Sequence, residues 1–397
     1  MQPNIVFEPL REQALFAQLP MPAAEGIEGA IARAIARVGR SLPDFRQSFP
    51  APSSEGQMYP AMDNSEWTNG FWTGILWLSW QLTGSQDYRT AAELQVADFL
   101  ERARREVNVA HHDLGFLYTP SACAAWQLTG SEAGRVAGLL AADLLMRRYD
   151  PTTGVIQAWG DLTDPAESGR MIMDCNLNLP LLYWASRETG RAVYRQAADR
   201  HLAQAERYLV RPDGSTFHTF HMDTQTGAPL RGTTHQGFAD DSCWSRGQAW
   251  GIYGFTLGYA LSGRERLVAL AKKLANYFIN RCDETLVPRW DLIFDGGSDE
   301  PYDTSAAAVA ACGLLELVRH LPLGDPHRDL YARIAWAMVE QLDRAHLAAL
   351  DTSNGLLADG VYHMPKRIGV GECCLWGDYF YLEALIRLRQ VWVPYWL

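Results

Sequence analysis

Hydrophobic and polar positions run along this chain in long alternating blocks. Residues 72–82 are almost wholly apolar and stop at Thr83-Gly84; residues 88–105 follow with one charged and one apolar face. The order then recurs. Residues 122–128 stop at Thr129-Gly130 before 133–149, and 181–187 stop at Thr189-Gly190 before 194–209. Residues 247–261 stop at Ser262-Gly263 before 265–281, and 305–321 end near Gly324 before 327–342. An amphipathic segment, 26–38, precedes the series with Ile27, Ile31, Ile35 and Val38 at helical spacing, and an apolar segment, 378–391, closes it.

Each unit reads as an apolar helix, a glycine that stops it, and an amphipathic helix. The glycine matters because the left-handed turn that ends a helix is cheap only without a Cβ. Helices apolar on every side belong inside, and amphipathic ones form a jacket around them. Six of each follow, which predicts an all-α fold, an (α/α)6 barrel, as a single catalytic domain over residues 1–397. An open solenoid of helical hairpins is the alternative. The barrel is preferred because the first and last helices are of opposite type and can pair to close a ring.

The longer connections, 106–121, 150–180, 210–246, 282–304 and 349–377, all run from an outer helix to the next inner one. They should therefore gather over one end of the barrel, where the inner helices begin. Connections of this length in a compact domain usually carry function, so a pocket is expected there. The Pro- and Ser-rich stretch 42–59 should be irregular.

Composition narrows the choice. Fourteen Trp among 397 residues exceed what helix packing requires, and surplus indoles suit sugar faces. A net charge of −11 argues against nucleic acid as a partner. Seven Cys, with no CxxC pair, read as small buried hydrophobes. The first residues lack a basic start and an apolar core, and no run is long enough to span a bilayer. A reducing cytoplasm, with no membrane partner, is the expectation.

Two carboxylates stand out on the connections. Asp113 follows His111-His112 and precedes Leu114-Gly115-Phe116-Leu117-Tyr118; Asp174 follows Met171-Ile172-Met173. Apolar neighbours desolvate a carboxylate and raise its pKa toward the range that proton transfer needs. Asp174 can equally be read as a helix N-cap, which would lower its pKa. Nearby candidates are Trp67, Trp159, His218, His235 and Gln236. Arg246 and Trp250, four apart, share a helix face that suits an anionic sugar or a simple cation–π pair. His111, His112, His218 and His235 lack the helical i, i+4 spacing of a zinc site. No phosphate loop and no nucleophile elbow is present.

Taken together, Trp67-Thr68-Asn69-Gly70-Phe71-Trp72-Thr73-Gly74, His111-His112-Asp113-Leu114-Gly115-Phe116, Asp174-Cys175-Asn176-Leu177-Asn178-Leu179-Pro180, Thr234-His235-Gln236-Gly237, Ser245-Arg246-Gly247-Gln248-Ala249-Trp250-Gly251 and Trp376-Gly377-Asp378-Tyr379 resemble the unsaturated glucuronyl hydrolases, glycoside hydrolase family 88. The likeness keeps its order from about Asn64 to Leu388. It implies an (α/α)6 barrel, no metal or other cofactor, and release of 4,5-unsaturated uronic acid from small lyase-generated oligosaccharides. It implies Asp174 as general acid/base and Asp113 as the second essential carboxylate. It implies a sugar site of Trp67, His112, Trp159, His218, His235, Gln236, Arg246 and Trp250. One departure is the loop 366–372, which lacks the hydroxyl-bearing residue expected there. The nearest alternatives are an unsaturated rhamnogalacturonyl hydrolase acting on pectin fragments and a sugar 2-epimerase of the same fold. A non-enzymatic helical scaffold would need no pair of acids among aromatics.

Overall fold

The computed structural model describes residues 7–164 and 167–397. Six inner helices form a ring: Asn69–Thr83, 114–129, Leu179–Thr189, Ser245–Ser262, Thr304–His320 and Leu375–Arg389. Six outer helices surround them: Ala24–Ser41, Gln86–Arg105, Glu132–Met146, Ala192–Tyr208, Arg266–Ile279 and Arg328–Ala345. The last inner helix packs on both Thr304–His320 and Asn69–Thr83 and also meets Ala24–Ser41. The ring is closed, and the open solenoid is excluded.

Burial follows the block pattern. In Ser245–Ser262 every residue from Ser245 to Gly258 is buried, as expected of a helix surrounded by others. Ala24–Ser41 buries Ile27, Ala30, Ile31, Ala34 and Val38 and leaves its opposite face wet. Trp77, Trp250, Trp376 and Trp396 lie among the largest fully buried side chains of one continuous core.

Four helix–helix turns share one chemistry. Gly84, Gly130, Gly190 and Gly263 are left-handed, with φ of 74°, 68°, 71° and 75°. The preceding hydroxyl reaches back one turn: Thr83, Thr129 and Thr189 each donate to the carbonyl four residues earlier at 2.7 Å. The fifth turn departs from expectation. Its helix ends at His320 with an extended Leu321, and Gly324 is not left-handed. Pro322 cannot continue a helix, so no glycine stop is needed there.

Two further expectations shift. The inner helix predicted at 122–128 begins already at Leu114, because its Pro120 sits inside a π-helical turn, Thr119–Cys123. The wide turn absorbs the missing N–H that would break a regular helix. The long connections also carry short antiparallel strands. Arg170–Ile172, Thr219–Met222 and Pro229–Thr233 form a three-stranded sheet, and Gly360–His363 pairs with Ile368–Glu372. These strands supplement the helical ring, and Met171, Phe220 and Met222 extend its core.

A Cβ at Gly84 would meet nothing within 4 Å, so only its backbone conformation resists substitution. Gly84→Ala should cost about 1 kcal/mol. Urea unfolding should show a lower midpoint with an unchanged slope; an unchanged midpoint would show that the turn tolerates a side chain.

Candidate active site

The connections converge as predicted. A cavity of about 380 Å³ is lined by Trp67, His112, Asp113, Trp159, Ile172, Asp174, His218, His235, Gln236, Arg246, Tyr362 and Lys366. Its size suits a small-molecule ligand. Two of the fourteen Trp, Trp67 and Trp159, line it.

Backbone pairing brings these residues together. The strand Arg170–Ile172 delivers Asp174 on the turn Met173–Leu177 that follows it. The Met173 N–H donates to the His218 carbonyl at 3.1 Å, which sets His218 beside Asp174. The third strand ends at Thr233 and releases His235 and Gln236 at the same rim. The His112 N–H donates to the Ala158 carbonyl at 2.8 Å and ties the first acidic loop to Trp159. The two acidic loops meet through a close approach at Gly115. A Cβ there would lie 2.3 Å from the Asn178 Cα. The Asn178 side chain accepts the Phe116 N–H at 2.7 Å and donates to the Asp174 carbonyl at 3.3 Å.

The carboxylates sit in opposite environments. Asp113 Oδ1 is 3.2 Å from His112 Nε2, and Asp113 Oδ2 is 3.2 Å from His111 Nδ1. Burial alone would raise its pKa, but the two imidazoles reverse that and hold it well below the ordinary 3.8. Asp174 has no such partner; its Oδ2 is buried and makes no hydrogen bond. Burial pushes it up to about 7, with Asp113 adding to the rise and His112 and Arg246 opposing it. The N-cap reading of Asp174 fails, since its side chain caps neither the turn nor the helix Leu179–Thr189.

His218 has a defined tautomer. Its Nδ1 accepts the N–H groups of His235 and Gln236 at 3.0 and 3.1 Å, so the ring proton is on Nε2. That N–H faces Asp174 Oδ2 at 4.0 Å. Burial, with His235 and Arg246 nearby, keeps His218 neutral.

Arg246 and Trp250 differ from expectation. Arg246 is 2% exposed, pairs with Asp303 at 2.8 Å, and donates to the carbonyls of Val361 and Tyr362 and the amide of Gln236. Its guanidinium stacks over Trp244 and Trp376, not Trp250. It docks the hairpin Gly360–His363 onto the barrel, and its charge is already matched. Trp250 is fully buried against Phe116 and Phe380 and does not line the cavity. Four-residue spacing correctly set both on one helix, but the first turn alone reaches the cavity and the second is core. The connection 282–304 supplies Asp303 for Arg246 and no lining residue.

Sequence reading missed Tyr362, Lys366 and Ile172. The Tyr362 hydroxyl accepts from Trp67 Nε1 at 3.0 Å. Lys366, from the divergent loop, makes no ion pair among the described residues. The alternation of Val361, Tyr362 and His363 was the available signal for a strand presenting every second side chain. Among the described residues, no three His, Cys, Asp or Glu side chains are grouped to hold a metal ion. Nor is any described helix long and apolar enough to cross a membrane.

The folded state binds the Asp174 proton more tightly than an unfolded chain does. Stability therefore falls as pH rises from near the ordinary 3.8 to about 7, by at most roughly 4 kcal/mol. Asp174→Asn should melt above the wild type at pH 8 and beside it at pH 4. Equal melting temperatures at both pH values would contradict the assigned environment.

Comparison with known proteins agrees with this fold. Residues 43–354 match the model of Glycosyl Hydrolase Family 88. The unsaturated chondroitin disaccharide hydrolase of Streptococcus pneumoniae is 42% identical over 99% of both chains. The crystal structure of unsaturated glucuronyl hydrolase from Streptococcus agalactiae superposes with a TM-score of 0.97, at 40% identity over 100% of each chain. A mutant of unsaturated glucuronyl hydrolase from Streptococcus agalactiae, complexed with dGlcA-GalNAc6S, superposes with a TM-score of 0.90, at 38% identity over 100% of each chain. The chain belongs to glycoside hydrolase family 88 and is a glycosidase.

Proposed function

We propose that this protein releases 4,5-unsaturated uronic acid from the non-reducing end of small lyase-generated oligosaccharides, glycosaminoglycan disaccharides above all. The observation that carries the reading is one cavity holding two aspartates of opposite protonation, Asp174 protonated near neutral pH and Asp113 ionised. The relatives named for glucuronyl and chondroitin substrates favour it over the pectin-directed and epimerase alternatives. The seven cysteines, all free thiols, suit the reducing cytoplasm proposed as its location.

The substrate ring holds a C4=C5 enol ether conjugated to a carboxylate. Asp174 gives its proton to C4, and positive charge develops at C5 and the ring oxygen. Asp113, kept ionised by His112 and His111, stabilises that charge or holds the ring. Water then adds at C5 with Asp174 as base. The hemiketal opens and releases the neighbouring sugar. Ordinary glycoside hydrolysis would instead attack the anomeric carbon.

Trp67 and Trp159 offer faces to the sugar, and His112, His218, His235 and Gln236 offer polar contacts. Arg246 acts by holding Gln236 and the Tyr362 backbone rather than as a free cation, and Trp250 supports the floor. Lys366 is left to meet the substrate's negative charge.

Asp174→Asn should abolish turnover of unsaturated chondroitin disaccharide, followed by loss of enol-ether ultraviolet absorbance, while calorimetry still detects binding. Near wild-type turnover in that variant would refute the acid's assignment. Lys366→Ala should raise KM by about tenfold with little change in kcat, the cost of losing a charged contact. An unchanged KM would remove Lys366 from substrate binding.

A further inference from the structure

The three-stranded sheet over the rim has two faces, and its register tells them apart. Paired residues on neighbouring strands point to the same side, and side chains alternate along each strand. Met171, Phe220 and Gly232 pair across one face, where Met171 and Phe220 join the core. The opposite face carries two rows. Ile172, Thr219 and Thr233 form the inner row, and Ile172 lines the cavity. Arg170, His221 and Arg231 form the outer row, one side-chain repeat further along the strands. Ile172 and Thr219 are buried, Arg170 and His221 are half-buried, and Arg231 is exposed. The outer row therefore continues the cavity wall toward solvent.

Side-chain contacts agree with that placement. Arg170 lays its guanidinium over Trp159, 4.9 Å from the ring centroid, and Trp159 lines the cavity. Trp159 in turn meets His235, with centroids 5.2 Å apart. His221 Nε2 lies 3.0 Å from Thr233 Oγ1, a contact within this face. Charge on the outer row is not matched. Neither Arg170 nor Arg231 makes an ion pair or a side-chain hydrogen bond among the described residues. His221 between them stays neutral: burial lowers its pKa, the two arginines add to the fall, and Asp240 opposes it. Asp240 is itself engaged, accepting the Thr234 N–H at 2.8 Å. A chain of net charge −11 has acids to spare, yet none pairs with these two cations.

We propose that the face bearing Arg170, His221 and Arg231 is an outer subsite, which holds an anionic group on the sugars beyond the disaccharide. This rests on the activity proposed above and extends it to longer unsaturated glycosaminoglycan fragments. Such chains carry a uronate at alternate sugars. A tetrasaccharide whose first uronate occupies the cavity thus presents its second uronate outside it. Sulfate esters are the other oxyanion these chains offer. Guanidinium suits both, because its fork of N–H donors meets two oxygens at once. The general field of an acidic protein repels a polyanion, so a local row of cations at the mouth is what guides one in. Lys366 stands apart from this row, on the hairpin side of the cavity, and serves the sugars inside.

The test uses the full chain and the exposed end of the row. Unsaturated disaccharides and tetrasaccharides from hyaluronan, which has no sulfate, and from sulfated chondroitin are compared as substrates. In Arg231→Ala the ratio of kcat/KM for tetrasaccharide over disaccharide should fall about fivefold, the worth of one exposed ion pair. Arg231→Lys should restore most of that ratio. Added salt should lower the ratio more in wild type than in Arg231→Ala. A fall in both series assigns the anion to the second uronate, and a fall confined to chondroitin assigns it to sulfate. An unchanged ratio in both series, or no recovery with lysine, would overturn the proposal. A wild-type protein that leaves every disaccharide intact would count against the activity. Calorimetric binding of the tetrasaccharide then decides the subsite: weakening by Arg231→Ala supports it, and equal binding sinks it.

Discussion

Desolvation without a partner is the constraint on which this site depends. Two aspartates share a cavity, and burial raises the pKa of both. One has two imidazoles at 3.2 Å and stays ionised; the other has no hydrogen-bond partner on its buried Oδ2, with neutral His218 no nearer than 4.0 Å, and holds its proton to about pH 7. The difference comes from neighbours placed by the backbone and not from the carboxyl groups themselves. A raised pKa alone does not mark a site. Buried Asp378 is also pushed up to about 7, but it accepts the Leu356 and Leu357 N–H groups and the Tyr59 hydroxyl, and it does not line this cavity.

The ring of helices supplies the rigidity that keeps those neighbours in place. Gly115 lets the helix that begins after Asp113 lie directly on Asn178, and Asn178 in turn holds the carbonyl of Asp174. Arg246 and Asp303 lock the hairpin that carries Tyr362 and Lys366. Glu372 anchors the far strand of that hairpin by accepting the Gly56 and Gln57 N–H groups at 2.9 and 2.8 Å. Buried polar groups with every partner matched are stiff, and stiffness is what a proton donor aimed at one carbon requires.

Much of this was legible in the residues because the fold repeats its own grammar. Four Thr-Gly or Ser-Gly stops gave the helical units, and complementary end helices gave the closed ring. The connections between outer and inner helices gave the rim, and motif likeness gave Asp113 and Asp174. Less was legible where the chain leaves that grammar. The apolar helix read from residue 122 starts already at Leu114, because a π turn carries the chain through Pro120. The short strands of 3 to 5 residues over the rim alternate only once or twice, a faint signal beside the helical blocks, and the hairpin among them delivers Tyr362 and Lys366. Which of Arg246 and Trp250 faces the cavity depends on helix depth, a tertiary property that spacing does not encode.

The split between the carboxylates can be read directly by infrared difference spectroscopy across pH, comparing wild type with Asp174→Asn to remove the contribution of Asp378. The account predicts a protonated-carboxyl band that disappears near pH 7 in wild type and is missing from the variant. It predicts no protonation of Asp113 above pH 4. A wild-type Asp174 already ionised at pH 5, or an Asp113 that takes up the proton in its place, would contradict it.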